Sequence, residues 1–242
     1  MAVRMEVNEA RCHYNQYTEL GQDALVGYTR VRMTFLLGVD EAGRGPLAGP
    51  VAVGVVAVPE GFDVAAEFPG VADSKKLIEK KREALFEMLE RRAEKGDVQF
   101  TVEYGEVVEI DAQGIAIAIR AAVARAVQAL VEGQTFQSNC GRSDLPQHSN
   151  YEILLDGALH APAEYRQKTI IGGDATVPLI SLASIAAKVS RDRRMVKLAE
   201  TYPVYGFEQH KGYGTKAHYV ALHRYGLCAI HRATFIHFDN GS

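Results

Sequence analysis

The stretch that most constrains this chain is 36–50, where an apolar run ends on two adjacent carboxylates and a glycine-rich turn. The carboxylates are Asp40 and Glu41, and a second apolar run, 51–58, follows the turn. Neighbouring strand side chains point to opposite faces, but at the frayed end of a strand both carboxylates can converge on one cation. Hard divalent cations prefer oxygen ligands of this kind. The bare backbone of the glycine turn also lets its N–H groups approach a sugar or phosphate closely.

The same stretch is compatible with a purely structural role. An Asp-Glu pair followed by glycines is typical of a solvated strand end and turn. A small-molecule phosphate binder would need a Walker or dinucleotide-binding pattern, and the chain contains neither. The choice between a turn and a cation site therefore depends on residues further along the chain.

The composition is that of a globular protein without a strong overall charge. The 242 residues are 47% hydrophobic and 24% charged, enough for one large domain or two small ones. Because the formal net charge is −3, a polyanion must be held by local patches or by metal. No apolar run reaches the length of a membrane helix, and the N-terminus lacks a secretory signal pattern. The cysteines, without paired or zinc-type spacing, favour a reducing, cytoplasmic location: Cys12, Cys140 and Cys228.

Hydrophobic periodicity predicts an α/β fold with several strands. Strands are predicted at residues 34–40, 51–58, 98–104, 151–155 and 168–171. Helices are predicted from 78 to about 95, and over about 112–130, 178–199 and 215–225. Residues 133–149 are polar and contain glycine, which predicts a surface loop.

Acidic residues follow three of the predicted strands or the turns that end them. They are Asp40 with Glu41, then Asp156, then Asp174. Functional groups in α/β sheets gather where strands end, so we expect these carboxylates to meet. Such a cluster is tolerable if a cation lies among its members or if some of them are protonated. Each acid alone is more typical of a turn or helix cap than of catalysis, but together they favour a metal site for phosphodiester hydrolysis.

Basic, hydroxyl and aromatic residues in separate segments are candidates for contacts with a nucleic-acid backbone. Any single lysine among them is more commonly part of a solvated face. Tyr213, which lies between glycines, could stack on a sugar or base. The polar candidates are Ser74, Lys75, Lys76, Ser184, Lys188, Arg191, Lys211 and Lys216.

Taken together, these motifs resemble those of the ribonuclease HII family, the bacterial type 2 ribonucleases H. The resemblance covers about 34–235 and rests on residues 38–46, 73–75, 155–157, 173–174, 183–189 and 210–213. It implies a ribonuclease H-like fold, with a mixed five-stranded sheet flanked by helices and a small C-terminal helical part. It also implies catalytic and metal-binding roles for Asp40, Glu41, Asp156 and Asp174, with Mg²⁺ or Mn²⁺ as cofactor.

The resemblance further implies a substrate and the residues that bind it. The family cuts the RNA strand of RNA–DNA hybrids and nicks DNA on the 5′ side of an embedded ribonucleotide, leaving 3′-hydroxyl and 5′-phosphate ends. The peptide groups of Gly43, Arg44 and Gly45 would meet the ribose 2′-OH, the group that distinguishes RNA from DNA. Tyr213 would stack on the following sugar. Further substrate contacts are expected from Ser74, Lys75, Ser184 and Lys188.

Two segments depart from the family pattern. Residues 1–32 are predicted to be either a short N-terminal extension or a segment upstream of the true start, and 33–242 the catalytic domain. The 133–149 loop is longer than the family usually carries. We expect a monomer without a membrane partner. The alternatives are another nuclease of the superfamily, such as a ribonuclease HIII-like enzyme, and a nucleic-acid-binding module without catalysis.

Overall fold

A mixed five-stranded sheet forms the frame of the molecule. The computed structural model describes residues 34–72, 74–135 and 150–236; the predicted extension and most of the predicted 133–149 loop lie outside these ranges. Across the sheet the strand order is β3-β2-β1-β4-β5, with β1 antiparallel to β2 and parallel to β4. The strands are β1 (Phe35–Ala42), β2 (Val51–Pro59), β3 (Gln99–Gly105), β4 (Tyr151–Asp156) and β5 (Arg166–Ile170). The predicted α/β class is therefore confirmed.

Helices cover both faces of the sheet. They are α1 (Val64–Glu67), α2 (Glu79–Lys95), α3 (Val107–Gln113), α4 (Ile115–Thr135), α5 (Gly173–Thr176), α6 (Pro178–Thr201), α7 (Phe207–His210) and α8 (Lys216–Tyr225). Local chemistry defines several ends. Pro178 occupies the first turn of α6, where no amide donor is needed, and Thr215 caps α8 by accepting from the His218 N–H.

The predicted helix over 112–130 is wrong at both ends. The structure has two helices here, because Gly114 has a φ of +89° and its N–H closes the last turn of α3 on the Ile110 carbonyl. Helix α4 begins only after this break and runs on to Thr135, into the segment predicted as a loop. A glycine in the left-handed region is a helix stop that periodicity alone does not show.

Two apolar layers sandwich the sheet. Side chains of β1, β2 and β4 pack against α4 on one face, and β2 packs against α2 and α6 on the other. Strand β2 is buried on both faces, which explains why its sequence is continuously apolar rather than alternating.

Two glycines let α6 lie unusually close to the sheet. A Cβ at Gly38 in β1 would lie 2.6 Å from the Leu179 carbonyl oxygen, and one at Gly54 in β2 would lie 2.3 Å from that of Ala183. Real Cβ atoms do not approach backbone oxygens this closely, so the absence of a side chain sets the helix–sheet distance. Asp40 is two residues beyond Gly38 and therefore faces the same helix.

A third apolar cluster joins α7 and α8 to the turn after β1. Inside it, neutral histidines form a directed chain of hydrogen bonds. The His231 Nδ1 accepts from the Cys228 N–H at 2.8 Å, and its Nε2 faces the His218 Nε2 at 3.0 Å. The His218 Nδ1 lies 2.9 Å from the Tyr213 carbonyl oxygen and so donates to it. Each ring carries one proton in this arrangement, which holds the Tyr213 backbone in place.

The hydrogen-bonded histidines predict that the folded protein loses stability in mild acid. Burial, then the neighbouring His218, lowers the pKa of His231 from 6.5 to about 4. The unfolded chain therefore binds more protons between these values, and the contribution present above pH 6.5 disappears as the pH falls towards 4. Between pH 7 and pH 5 we expect about 2 kcal/mol of unfolding free energy to be lost through this residue.

Urea unfolding at both pH values measures the effect. In the H231Q variant the difference between pH 7 and pH 5 should shrink by that amount, whereas in H160Q, which alters an exposed histidine, it should match the wild type. An unchanged difference in H231Q would contradict the prediction.

Candidate active site

Three aspartates meet at one edge of the sheet. Asp40 is near the end of β1, Asp156 ends the parallel neighbour β4, and Asp174 lies in α5 just after β5. Each contributes one carboxylate oxygen, and these oxygens lie within 4.8 Å of one another. Parallel strands end at the same edge, which is why residues so distant along the chain come together. The Asp174 N–H donates to Asp156 Oδ1 at 3.2 Å, which ties the two acids directly.

Glu41 is adjacent to this cluster rather than part of it. Its Oε1 accepts from Arg44 Nη1 at 2.9 Å, across the start of the glycine turn. Neighbouring strand residues point to opposite faces, so its carboxylate leaves β1 in a different direction from that of Asp40. Its charge nevertheless raises the pKa of Asp40, so the two carboxylates interact.

Asp40 is almost fully buried within the cluster. Its side chain is 4% exposed, and burial raises its pKa to about 8, with further contributions from the charges of Glu41 and Asp156. Hydrogen bonds from the Ser184 hydroxyl and the Glu41 N–H oppose this rise only in part. A cation among the carboxylates would favour their charged forms. The cluster offers only carboxylate oxygens, which fits a hard divalent ion better than zinc.

Serine hydroxyl groups form hydrogen bonds with two of the aspartates. The Ser184 hydroxyl, which bonds Asp40, also lies 2.8 Å from the Ser74 hydroxyl, and both serines are buried. Ser181, which the sequence had not singled out as a site residue, donates to the Asp174 carbonyl oxygen at 2.6 Å. The spacing of Ser181 and Ser184 along α6 was visible in the sequence, but their targets depend on how closely α6 approaches β1.

One lysine bonds the aspartate cluster, and another lies beside Tyr213. Lys75 Nζ is 3.0 Å from Asp174 Oδ2, and the Lys75 side chain is 79% exposed. Lys188 Nζ is 2.8 Å from Asp192 Oδ1 and lies 5.6 Å from the centre of the Tyr213 ring. Both cations are thus close to groups predicted to take part in the site.

The glycine turn is held by two buried arginines. Arg191 donates to the carbonyls of Ala48, Pro50 and Lys211 at 2.9–3.1 Å. Because this side chain is 0% exposed, the prediction that it contacts phosphate is wrong. The second, Arg232, was missed by sequence reasoning; the only signal was a lone arginine in a partly apolar C-terminal segment. Buried guanidinium groups need several acceptors, and the turn carbonyls provide them.

Tyr213 lies on a loop that is hydrogen-bonded to the glycine turn. The residue is 42% exposed, and the Lys188 and Arg191 cations lie 5.6 and 5.9 Å from the centre of its ring. Gly212 before it has a φ of +86°, and a Cβ there would lie 2.3 Å from the Ala48 carbonyl oxygen. The Leu47 N–H donates to the Gly212 carbonyl oxygen at 2.8 Å, so the tyrosine loop and the glycine turn form one unit.

The sequence matches a known family over most of its length. Residues 37–238 match the family model described as Ribonuclease HII. The chain belongs to the ribonuclease HII family. Ribonuclease HII from Endomicrobium trichonymphae is 44% identical over 200 residues, covering 82% of this chain and 83% of that protein. Ribonuclease HII from Hyphomonas neptunium is 43% identical over 201 residues, covering 83% and 92%. The resemblance is therefore confirmed, and the chain is a ribonuclease H endonuclease.

Solved structures agree on the fold. The ribonuclease H2 from Pyrococcus horikoshii matches with a TM-score of 0.56 and 27% identity, over 83% of this chain and 93% of that one. The ribonuclease HII in a PCNA complex from Archaeoglobus fulgidus matches with a TM-score of 0.62 and 21% identity, over 86% and 98%. A ribonuclease HIII at 16% identity shares the fold as well. Among the helices in the part of the chain that the structure describes, none combines the length and the apolar character needed to span a membrane.

Proposed function

We propose that this member of the ribonuclease HII family cuts the RNA strand of RNA–DNA hybrids and nicks DNA on the 5′ side of an embedded ribonucleotide. The products are 3′-hydroxyl and 5′-phosphate ends. The observation that carries the proposal is the aspartate cluster, whose oxygens lie within 4.8 Å of one another, beside a backbone turn able to reach a ribose. Asp40, Asp156 and Asp174 would hold Mg²⁺ or Mn²⁺, with Glu41 as the fourth carboxylate.

Divalent ions held there would supply Lewis-acid stabilisation of charge on the phosphate and a more acidic water. The protein's own contribution is to position the phosphodiester bond that is cut. The carboxylates are kept in position by the Ser184 hydroxyl on Asp40 and the Ser181 hydroxyl on the Asp174 backbone. Holding reactants in position accounts for much of the rate in reactions of this kind.

The substrate would lie across the turn and the tyrosine. We propose that the peptide groups of Gly43, Arg44 and Gly45 contact the 2′-OH and that Tyr213 stacks on the next sugar. The exposed part of the tyrosine ring and the cations beside it support this placement. Lys75, which bonds Asp174, and Lys188, which lies beside the Tyr213 ring, would meet phosphates, and the bonded pair Ser74 and Ser184 would line the same site.

A DNA duplex with one embedded ribonucleotide tests the proposal. We expect cleavage on the 5′ side of the ribonucleotide with Mg²⁺ or Mn²⁺, cleavage of an RNA–DNA hybrid, no cleavage of the all-DNA duplex, and no activity in EDTA. Product mapping to the bond is the measurement. Cleavage of the hybrid alone would favour a ribonuclease HIII-like specificity and contradict the proposal for embedded ribonucleotides.

The site is built from one chain, so we propose that a monomer is active. The three aspartates, the glycine turn and Tyr213 all come from the same polypeptide. Within it the aspartate oxygens lie within 4.8 Å of one another, and the Leu47 N–H of the turn bonds the Gly212 carbonyl beside Tyr213.

A further inference from the structure

The guanidinium group of Arg232 donates hydrogen bonds to three carbonyl groups of the glycine turn. Its Nη2 donates to the Gly43 carbonyl oxygen at 2.7 Å and its Nη1 to that of Arg44 at 3.0 Å. Its Nε donates to the Gly49 carbonyl oxygen at 2.9 Å, and its backbone N–H to that of Leu47 at 2.8 Å. The side chain is 0% exposed, so one guanidinium fixes both ends of the turn from inside the protein.

Fixing these carbonyls also fixes the direction of the next amides. The described peptide bonds are all trans, and in a planar trans peptide the C=O and N–H point in opposite directions. With the Gly43 and Arg44 carbonyls turned inward onto Arg232, the N–H groups of Arg44 and Gly45 are directed away from it. Among the described residues, the structure records no acceptor for either amide. Successive amides that point outward form a concave binding site for an electronegative oxygen.

We propose that Arg232 is a positioning residue for ribonucleotide recognition: it orients the Arg44 and Gly45 amides towards the 2′-OH without touching the substrate. This inference rests on the proposed function, which places the 2′-OH at this turn. The inference adds that a buried side chain, Arg232, determines the selectivity for a ribonucleotide over DNA.

The shape of the guanidinium matters as much as its charge. Its donors form a rigid planar fork that here meets three carbonyls at once, whereas a lysine ammonium is a single point on a flexible stem. A lysine at position 232 would keep the positive charge but leave part of the turn without a partner. Arg191 cannot substitute for the fork, since its donors are already bonded to Ala48, Pro50 and Lys211.

The test is equilibrium binding of two duplexes by wild type and R232K, with Ca²⁺ present to prevent turnover. One duplex carries a single ribonucleotide and the other is all DNA. In R232K we expect the preference for the ribonucleotide duplex to fall by about tenfold, a loss of one or two net hydrogen bonds, with affinity for all-DNA unchanged.

Two control variants separate this role from a general loss of stability. R194K changes a half-buried arginine paired with Glu106 far from the turn along the chain, and V127A truncates a fully buried core residue on α4. Both should keep the wild-type preference when assayed well below their unfolding transitions. A folded R232K with the wild-type preference, or equal losses in V127A and R232K at matched stability, would overturn the inference. If the wild type itself lacks the preference, the proposed function fails and the inference fails with it.

Discussion

Replacing Asp40 with asparagine is expected to lower turnover by about 10³-fold or more, which corresponds to about 4 kcal/mol of transition-state stabilisation. Asparagine has nearly the same shape but lacks the charge, so the cluster would bind a divalent ion less well. Stability should move in the opposite direction. Because burial raises the pKa of Asp40 to about 8, the folded state disfavours the charged carboxylate at neutral pH, and a neutral amide relieves that cost. The D40N variant should therefore unfold at the same or a higher urea concentration at pH 7.

Rate measurement on the ribonucleotide duplex, paired with urea unfolding, checks both parts of this prediction. The matched control is D97N, which removes a carboxylate paired with Arg92 at an exposed position after α2. It should retain wild-type turnover. Wild-type activity in D40N would rule out the assigned site, and an unfolded D40N would show that Asp40 serves the fold instead.

Replacing Gly43 with alanine is expected to reduce cleavage at a single ribonucleotide by about 10²-fold or more, since misplacement by about 1 Å near the reacting groups has effects of that size. Two physical causes add. Gly43 has a φ of +89°, which costs an L-residue about 1–2 kcal/mol. A Cβ there would also lie 2.0 Å from Arg191 Nε, a side chain that three carbonyls hold in place. The turn must therefore move, and its amides with it.

Gly61 provides a closely matched control for this variant. It has the same φ of +89° in the turn after β2, but a Cβ there would meet nothing within 4 Å. G61A should lose the backbone contribution to stability and keep wild-type cleavage. Equal activity in G43A and G61A would contradict the idea that the geometry of the 43–45 turn governs the reaction.

Much of the framework was predictable from local patterns. Strand β2 was recognisable from its continuous apolar run, and β1 from an apolar run that ends on acids and glycines. The motifs also identified the family and predicted the carboxylates of its site. The helix predicted over about 112–130 is confirmed from 115 onwards, but its start was misplaced because α3 ends at Gly114, and the backbone conformation of one residue leaves little trace in periodicity.

The roles of the arginines were beyond sequence reasoning for a different reason. Arg191 falls on the polar stripe of α6, which favours a surface contact, yet it is buried against carbonyls from two distant turns. Arg232 had no pattern around it at all. The fold decides which acceptors lie within reach of a long, charged arginine side chain. Here those acceptors are backbone carbonyl groups, which every residue has, so the sequence does not mark them.

The sequence by itself determined which chemical groups are present and which strands carry them, because hydrophobic alternation and glycine position act locally. Only the tertiary structure decided that oxygens of three aspartates lie within 4.8 Å of one another and that Glu41, next to Asp40, bonds Arg44. It also decided that the Ser184 hydroxyl bonds Asp40 and that Arg232 bonds the carbonyl groups of the glycine turn. These relations depend on the close approach of α6 to Gly38 and Gly54 and on the docking of the C-terminal helices, since contacts between distant segments follow from packing and not from spacing along the chain.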